Sequence, residues 1–272
     1  MQCVTIQCVI LAGGLATRMR PLTETIPKAL IPVGGIPFID HQLAWLASHG
    51  VTDVVLSIGY RGEMLRDHVG DGARFGLAVR VVDEGTQLRG TAGALRLALD
   101  RGALEPAFLM TYGDSFLPID FADVWRRFQE SGAPALMTVF HNAGRWETSN
   151  VIYRDGRIVL YDKHRATRPA TEFDYVDYGL LAMKRELIAE LVPPPRDDIE
   201  MGTLGGFPNP PATGSDGGPV SAQRVERADL APLLHELSRR GDLAGVEITQ
   251  RFFEIGSPAG LQDLERWMRD RS

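Results

Sequence analysis

Only two cysteines occur in 272 residues, Cys3 and Cys8, too few for a disulfide-stapled scaffold. No His or Cys follows them at ligand spacing, so a cysteine-held metal is excluded as well. Both are read as small thiols on or just before a first strand in a reducing setting, and the expected localisation is cytoplasmic. The histidines, His41, His49, His68, His141, His164 and His235, show no paired metal spacing, and His164, beside Lys163, is the one placed to meet phosphate. No charged leader with a long apolar stretch begins the chain, and no apolar run approaches the roughly 18 to 20 residues that span a bilayer, so no membrane partner is expected. The net charge of -6 lacks the positive excess that a broad nucleic-acid face requires. There is no internal repeat and no hexapeptide series, which excludes a solenoid or an appended β-helix.

What is present is a 44% hydrophobic chain with the length of one full α/β core, read as a single domain over 1–272. Val9-Ile10-Leu11-Ala12 is an apolar run that opens into Gly13-Gly14-Leu15-Ala16-Thr17-Arg18. That is a buried strand leading into a loop whose backbone N–H groups can face phosphate oxygens. Further along, apolar residues at helical spacing (Ile39, Leu43, Leu46) precede Gly50, and a strand over 51–58 follows. The alternation continues with a short helix over 63–68, a strand ending at Asp83 and Glu84, and Gly90-Thr91-Ala92-Gly93 leading into a helix. A strand then stops at Tyr112-Gly113-Asp114-Ser115, which puts a carboxylate at a strand's carboxyl end, where open α/β sheets bind ligands.

The pattern changes at 151–161, where two β-rich runs flank Asp155-Gly156 as a hairpin that delivers Asp162 and Lys163 at its end. Strand, helix and strand signals resume on either side of 193–227, a Pro/Gly-rich stretch read as a loop or insertion. Asp229 is the expected N-cap of one late helix and Ser257-Pro258 the start of the last. The fold class is therefore α/β, with a mixed, mostly parallel sheet flanked by helices and an added antiparallel hairpin.

Neither GxGxxG nor GxxxxGK[ST] fits the opening loop. The stretch instead resembles the signature of the sugar-1-phosphate nucleotidyltransferases, in LAGG followed by Thr17-Arg18 and Pro21-Leu22-Thr23, and in Pro27-Lys28-Ala29-Leu30. The likeness extends to Gly90–Gly93, to Gly113-Asp114-Ser115, to Lys163, and to Glu254-Ile255-Gly256-Ser257, where the family usually carries Asp in place of Glu254. Within the family the chain resembles the heptose- and mannose-1-phosphate guanylyltransferases and enzymes of C7-cyclitol phosphates.

The resemblance implies a Rossmann-like fold of the nucleotide-diphospho-sugar transferase type. It also implies Mg²⁺-dependent transfer of a nucleoside monophosphate from a nucleoside triphosphate to a sugar 1-phosphate. By match to the motifs, Arg18 and Lys28 meet the triphosphate, Lys163 grips the sugar phosphate, and Asp114 and Glu254 hold Mg²⁺. Leu11, Ala12, Gly13, Gly14, Thr17, Gly90, Thr91 and Gly113 line the nucleotide site, and Glu147, Asn150, Asp177 and Gly179 line the sugar site.

Glu84 falls where thymidylyl enzymes carry Gln. A carboxylate there suits guanine, whose N1–H and N2–H₂ are adjacent donors, so GTP is the expected nucleotide. UTP or dTTP with a hexose 1-phosphate is the alternative, and a non-catalytic nucleotide-sugar-binding relative is a second. A homo-oligomer is left open.

Overall fold

The computed structural model describes residues 5–142, 148–165, 169–194 and 228–271. Strand β1 (Gln7–Ala12) is followed by the short 3-10 turns Thr17–Met19, Leu22–Glu24 and Lys28–Leu30 and by the two-residue ribbon β2 (Pro32–Val33) and β3 (Ile36–Pro37). The chain continues through α1 (Phe38–Ser48), β4 (Asp53–Ile58), α2 (Gly62–Val69), β5 (Ala78–Asp83), α3 (Gly90–Asp100), β6 (Ala107–Tyr112) and β7 (Ser115–Phe116). Then come α4 (Phe121–Ser131), β8 (Ala135–His141), the hairpin β9 (Val151–Arg154) and β10 (Arg157–Tyr161), β11 (Tyr175–Lys184) and α5 (Arg185–Leu191). The last elements are α6 (Leu230–Arg240), β12 (Leu243–Ile248), β13 (Phe253–Glu254) and α7 (Pro258–Arg269). No helix among the described residues is long and apolar enough to cross a membrane.

Nine strands form one sheet in the order β5-β4-β1-β6-β11-β8-β12-β10-β9. The first four are parallel; β11 enters antiparallel between β6 and β8, and β12 runs parallel to β8. The alternation of side chains explains why both faces are covered. In β1, Cys8 and Ile10 point into a core shared with α1, α2 and α4, whereas Val9 points into one shared with α3, α5 and α6. A strand buried on both faces must be apolar throughout, which is what made this run conspicuous in the sequence. Cys8 is one of these core residues, its thiol pushed up by burial.

The expected hairpin forms with Asp155 and Gly156 both at positive φ (49° and 78°), the backbone of a two-residue turn matched to strand twist. Ser257 caps α7 by accepting the Gly260 N–H at 3.1 Å. Asp229 differs from expectation. It occupies the N-cap position of α6, but its side chain makes no cap bond there. The Thr91 hydroxyl accepts the Leu230 N–H instead, at 2.8 Å, which frees the Asp229 carboxylate to face α3.

The chain leaves β1 toward one face of the sheet, through α1 to β4, and reaches β6 by way of α3 on the other face. Connections that diverge between adjacent parallel strands open a crevice at their carboxyl ends. The crevice here lies between β1 and β6.

Candidate active site

A cavity of about 550 Å³ occupies that crevice. It is lined by Leu11, Ala12, Gly13 and Gly14 from the β1 end, by Gly113 and Asp114 from the β6 end, and by Arg18, Lys28, Glu84, Gly90 and Thr91. Thr17 begins the 3-10 turn that carries Arg18. A Cβ on Gly13 would lie 2.6 Å from Glu84 Oε1 and 3.4 Å from the Gly59 nitrogen, so a larger residue there would displace the Glu84 carboxylate. The β1 loop is thus packed tightly against the β4 and β5 ends before it reaches the cavity.

Charge is distributed unevenly along the cavity. At one end Lys28 Nζ meets Asp114 Oδ2 at 2.5 Å, and the Lys28 and Arg18 cations lie 3.4 and 3.8 Å from where a Cβ on Gly256 would stand. Arg18 is exposed and has no carboxylate partner among the described residues, so its charge remains available to an anion. At the other end stand two carboxylates, Glu84 and Asp229. Glu84 Oε2 accepts the Arg89 N–H at 2.8 Å, and burial raises the Glu84 carboxyl above its ordinary range, partly offset by that bond and by the Arg89 charge.

The start of α3 is already occupied by protein. The Ala92 and Gly93 N–H groups both donate to the Ala228 carbonyl, at 2.8 and 3.0 Å, and the Thr91 N–H faces Asp229 Oδ1 at 3.5 Å. With its first N–H groups taken and a carboxylate beside it, this helix end disfavours a polyanion. The Arg18–Lys28 end is the more favourable of the two for an anion. Asp229 is the charged cavity residue that the sequence did not point to, because its spacing before an apolar run reads as an ordinary cap.

The second metal candidate is carried close by. Glu254 in β13 pairs in register with Ser115, and the Ile255 N–H donates to the Asp114 carbonyl at 2.9 Å. Mg²⁺ is held by one or two carboxylates completed by water and substrate phosphates, so this pair is the right kind of donor set. Among the described residues no group of three or more His, Cys, Asp or Glu gathers as a closed metal cage.

Three of the residues expected at the sugar, Asn150, Asp177 and Gly179, are not among those that line the cavity. Asn150 Oδ1 accepts the Asp177 N–H at 3.1 Å, and Asp177 Oδ1 accepts the Gly179 N–H at 3.0 Å. Here β11 shifts register against β8 between Asp177 and Leu181, and Gly179 sits at φ 97°, a bulge that only glycine enters without strain. Tyr112 connects the two regions. It lines the cavity, and its phenol is raised by burial and by the negative charges of Asp177, Asp114 and Glu254. Lys163 is exposed in the turn after β10, and its charge acts on Asp177. Glu147 lies outside the described residues, as does 195–227, most of the proposed insertion.

Burial raises the Asp177 carboxyl from 3.8 to about 6, against the Gly179 N–H bond and the Lys163 charge, which both lower it. Between those two values the folded protein holds more protons than the unfolded chain, so this group's contribution to stability is complete below about pH 4 and is lost as pH rises through about 6. Asp177→Asn is therefore expected to stabilise the protein by ~1–3 kcal/mol at pH 8 and by almost nothing at pH 4. Urea unfolding at the two pH values checks it, and an equal effect at both would contradict it.

The nucleotidyl transferase family model matches residues 7–150, more than half of the chain. The chain belongs to that family. This nucleotidyl transferase is 43% identical over 95 residues to a mannose-1-phosphate guanyltransferase from Neurospora crassa, a match that covers 35% of this chain and 26% of that one. It is 30% identical over 200 residues to a glucose-1-phosphate thymidylyltransferase from Streptomyces antibioticus, covering 72% of this chain and 55% of that protein. The chain spans about half or less of the length of the curated relatives it matches. Among solved structures, HddC from Yersinia pseudotuberculosis complexed with GMP-PN has a TM-score of 0.68 at 19% identity, covering 97% of this chain and 100% of that one, and so shares the fold.

Proposed function

We propose that this nucleotidyl transferase moves GMP from GTP to a sugar 1-phosphate of the mannose, heptose or cyclitol type. The observation that carries the proposal is the polarity of the cavity, cationic at Arg18 and Lys28 and acidic at Glu84 and Asp229. A nucleoside triphosphate lies along it with phosphates at the first end and base at the second.

A phosphate oxygen of the sugar 1-phosphate attacks the α-phosphorus, the bond to the bridging oxygen of the β-phosphate breaks, and pyrophosphate leaves. Both reactants are anions, so alignment and charge neutralisation supply the catalysis. Arg18 and Lys28 take up charge on the leaving pyrophosphate. Lys163 draws in the sugar phosphate from the β10 side, and Asp177 and Asn150 offer hydrogen bonds to sugar hydroxyls. Asp114 and Glu254 would hold Mg²⁺, which would supply positive charge against the negative charge developing on the phosphates. The test is pyrophosphate release with Mg²⁺ across four nucleoside triphosphates and a panel of sugar 1-phosphates. No release above background with any pair would overturn the proposal and favour a binding relative.

The thymidylyl relative keeps UTP or dTTP as the second reading. Uracil and thymine offer one N–H between two carbonyls, and a pair of carboxylates repels those carbonyls. Glu84→Gln is expected to lower the GTP-to-UTP ratio of kcat/KM by about tenfold or more, the worth of a hydrogen bond to a charged group. A ratio that stays put would remove Glu84 from base recognition.

A further inference from the structure

Asp114 sits at the apex of a turn, and its aim depends on what holds that turn's backbone. The Gly113 N–H donates to the Leu11 carbonyl at 2.9 Å and the Ile255 N–H to the Asp114 carbonyl at 2.9 Å. The carbonyls of Tyr112 and Ser115, two residues before Asp114 and one after it, are both met by one side chain. Gln42 Nε2 donates to each of them at 2.9 Å.

Gln42 lies in the middle of α1 and is 4% exposed. Burying an amide in an apolar helix–sheet interface carries a cost that its hydrogen bonds must offset. Turning the amide over would set its oxygen against two carbonyl oxygens, so the orientation is dictated by the turn. The oxygen end has no protein partner, nor has the Thr111 hydroxyl, and both residues line a cavity of about 10 Å³, the size one water requires. Only the donor end of the side chain is bound to protein, and both its bonds straddle Asp114. Trp45, one turn further along α1, adds a third tie by donating to the Ile119 carbonyl at 3.2 Å.

We infer that Gln42 is the positioning residue for Asp114, fixing the Tyr112–Gly113 and Ser115–Phe116 peptide groups on either side of it so that the carboxylate is held toward Lys28 and the proposed metal site. This rests on the proposed role of Asp114. Gln42 does not line the nucleotide cavity, so it acts on the turn and not on the ligand.

Two variants test it. Gln42→Met keeps length and packing but removes both donors, and Gln42→Glu keeps the shape but turns an acceptor toward the two carbonyls. For each, kcat for pyrophosphate release is expected to fall by about 10- to 100-fold, with KM for GTP within about twofold, as when a group orienting a metal ligand is lost. Mn²⁺ affinity of the protein loaded with a non-hydrolysable GTP analogue is expected to weaken over the same range. Wild-type kcat and Mn²⁺ affinity alongside a lowered thermal midpoint would show that Gln42 only ties helix to sheet, and would overturn the inference. If the wild-type protein transfers no nucleotide to any acceptor, the function proposed above fails by itself, and the Mn²⁺ measurement still decides the role of Gln42. Should Gln42→Glu not fold, Gln42→Met carries both measurements.

Discussion

Asp114→Asn is expected to reduce pyrophosphate release by about 10³-fold or more while leaving the protein folded. The substitution changes almost no volume, and an asparagine oxygen can still accept from Lys28 Nζ, which stands 2.5 Å from the carboxylate. What disappears is the negative charge at the carboxyl end of β6. Because the Asp114 side chain is about one-third exposed (33%), losing the ion pair costs stability on the order of 1 kcal/mol or less. Transfer chemistry loses much more, since the substitution removes the carboxylate proposed to hold Mg²⁺ and leaves Glu254 alone to do so. Pyrophosphate release and the thermal midpoint, measured on the same preparation, separate the two effects. Activity within tenfold of wild type would show that this carboxylate is not a metal ligand, and the proposed mechanism would have to be abandoned.

Asp114 was legible in the sequence because an apolar run ending in Gly-Asp declares a strand end, and strand ends in α/β sheets hold ligands. The same logic located the β1 loop, Glu84 and the start of α3, all of which the fold brings to one cavity. Local periodicity carries this much, since each of these residues is marked by the end of its own element. The order of strands is not marked in that way. Nothing in 175–184 reveals that β11 runs antiparallel between β6 and β8, because that depends on which apolar faces find each other over more than thirty residues of separation. The bulge at Gly179 follows from that placement, and so does the aim of Asp177. Asp229 and Gln42 escaped notice for a related reason. One reads as a helix cap and the other as a polar residue in a helix, and only the packing of α6 against α3 and of α1 beneath the β6 turn gives them other partners. The family resemblance named Asp177 at the sugar, but its action on Tyr112 from outside the cavity lining is a property of the folded sheet.

Lys28→Met is expected to lower kcat/KM by about 10²- to 10³-fold through both constants, with KM for the nucleoside triphosphate raised and kcat reduced. Methionine preserves most of the aliphatic stem, which is only 14% exposed, so the change is chiefly one of charge. Without the ammonium, the Asp114 carboxylate faces an incoming triphosphate with Arg18 as the one cation left among the described residues that line the cavity. Repulsion then weakens binding, and the transition state loses a cation that Arg18, exposed and more distant from Asp114, does not replace. Excess Mg²⁺ should recover part of the loss, because a divalent cation supplies the missing positive charge where Asp114 is intact. The same excess should do nothing for Asp114→Asn, whose defect is the ligand itself. Lys28→Arg restores the charge on a larger, planar group in a confined position, so it should recover less than full activity. A Lys28→Met protein with kcat/KM within threefold of wild type would mean that the ion pair with Asp114 is structural, and the phosphates would then have to be assigned to Arg18 and Lys163.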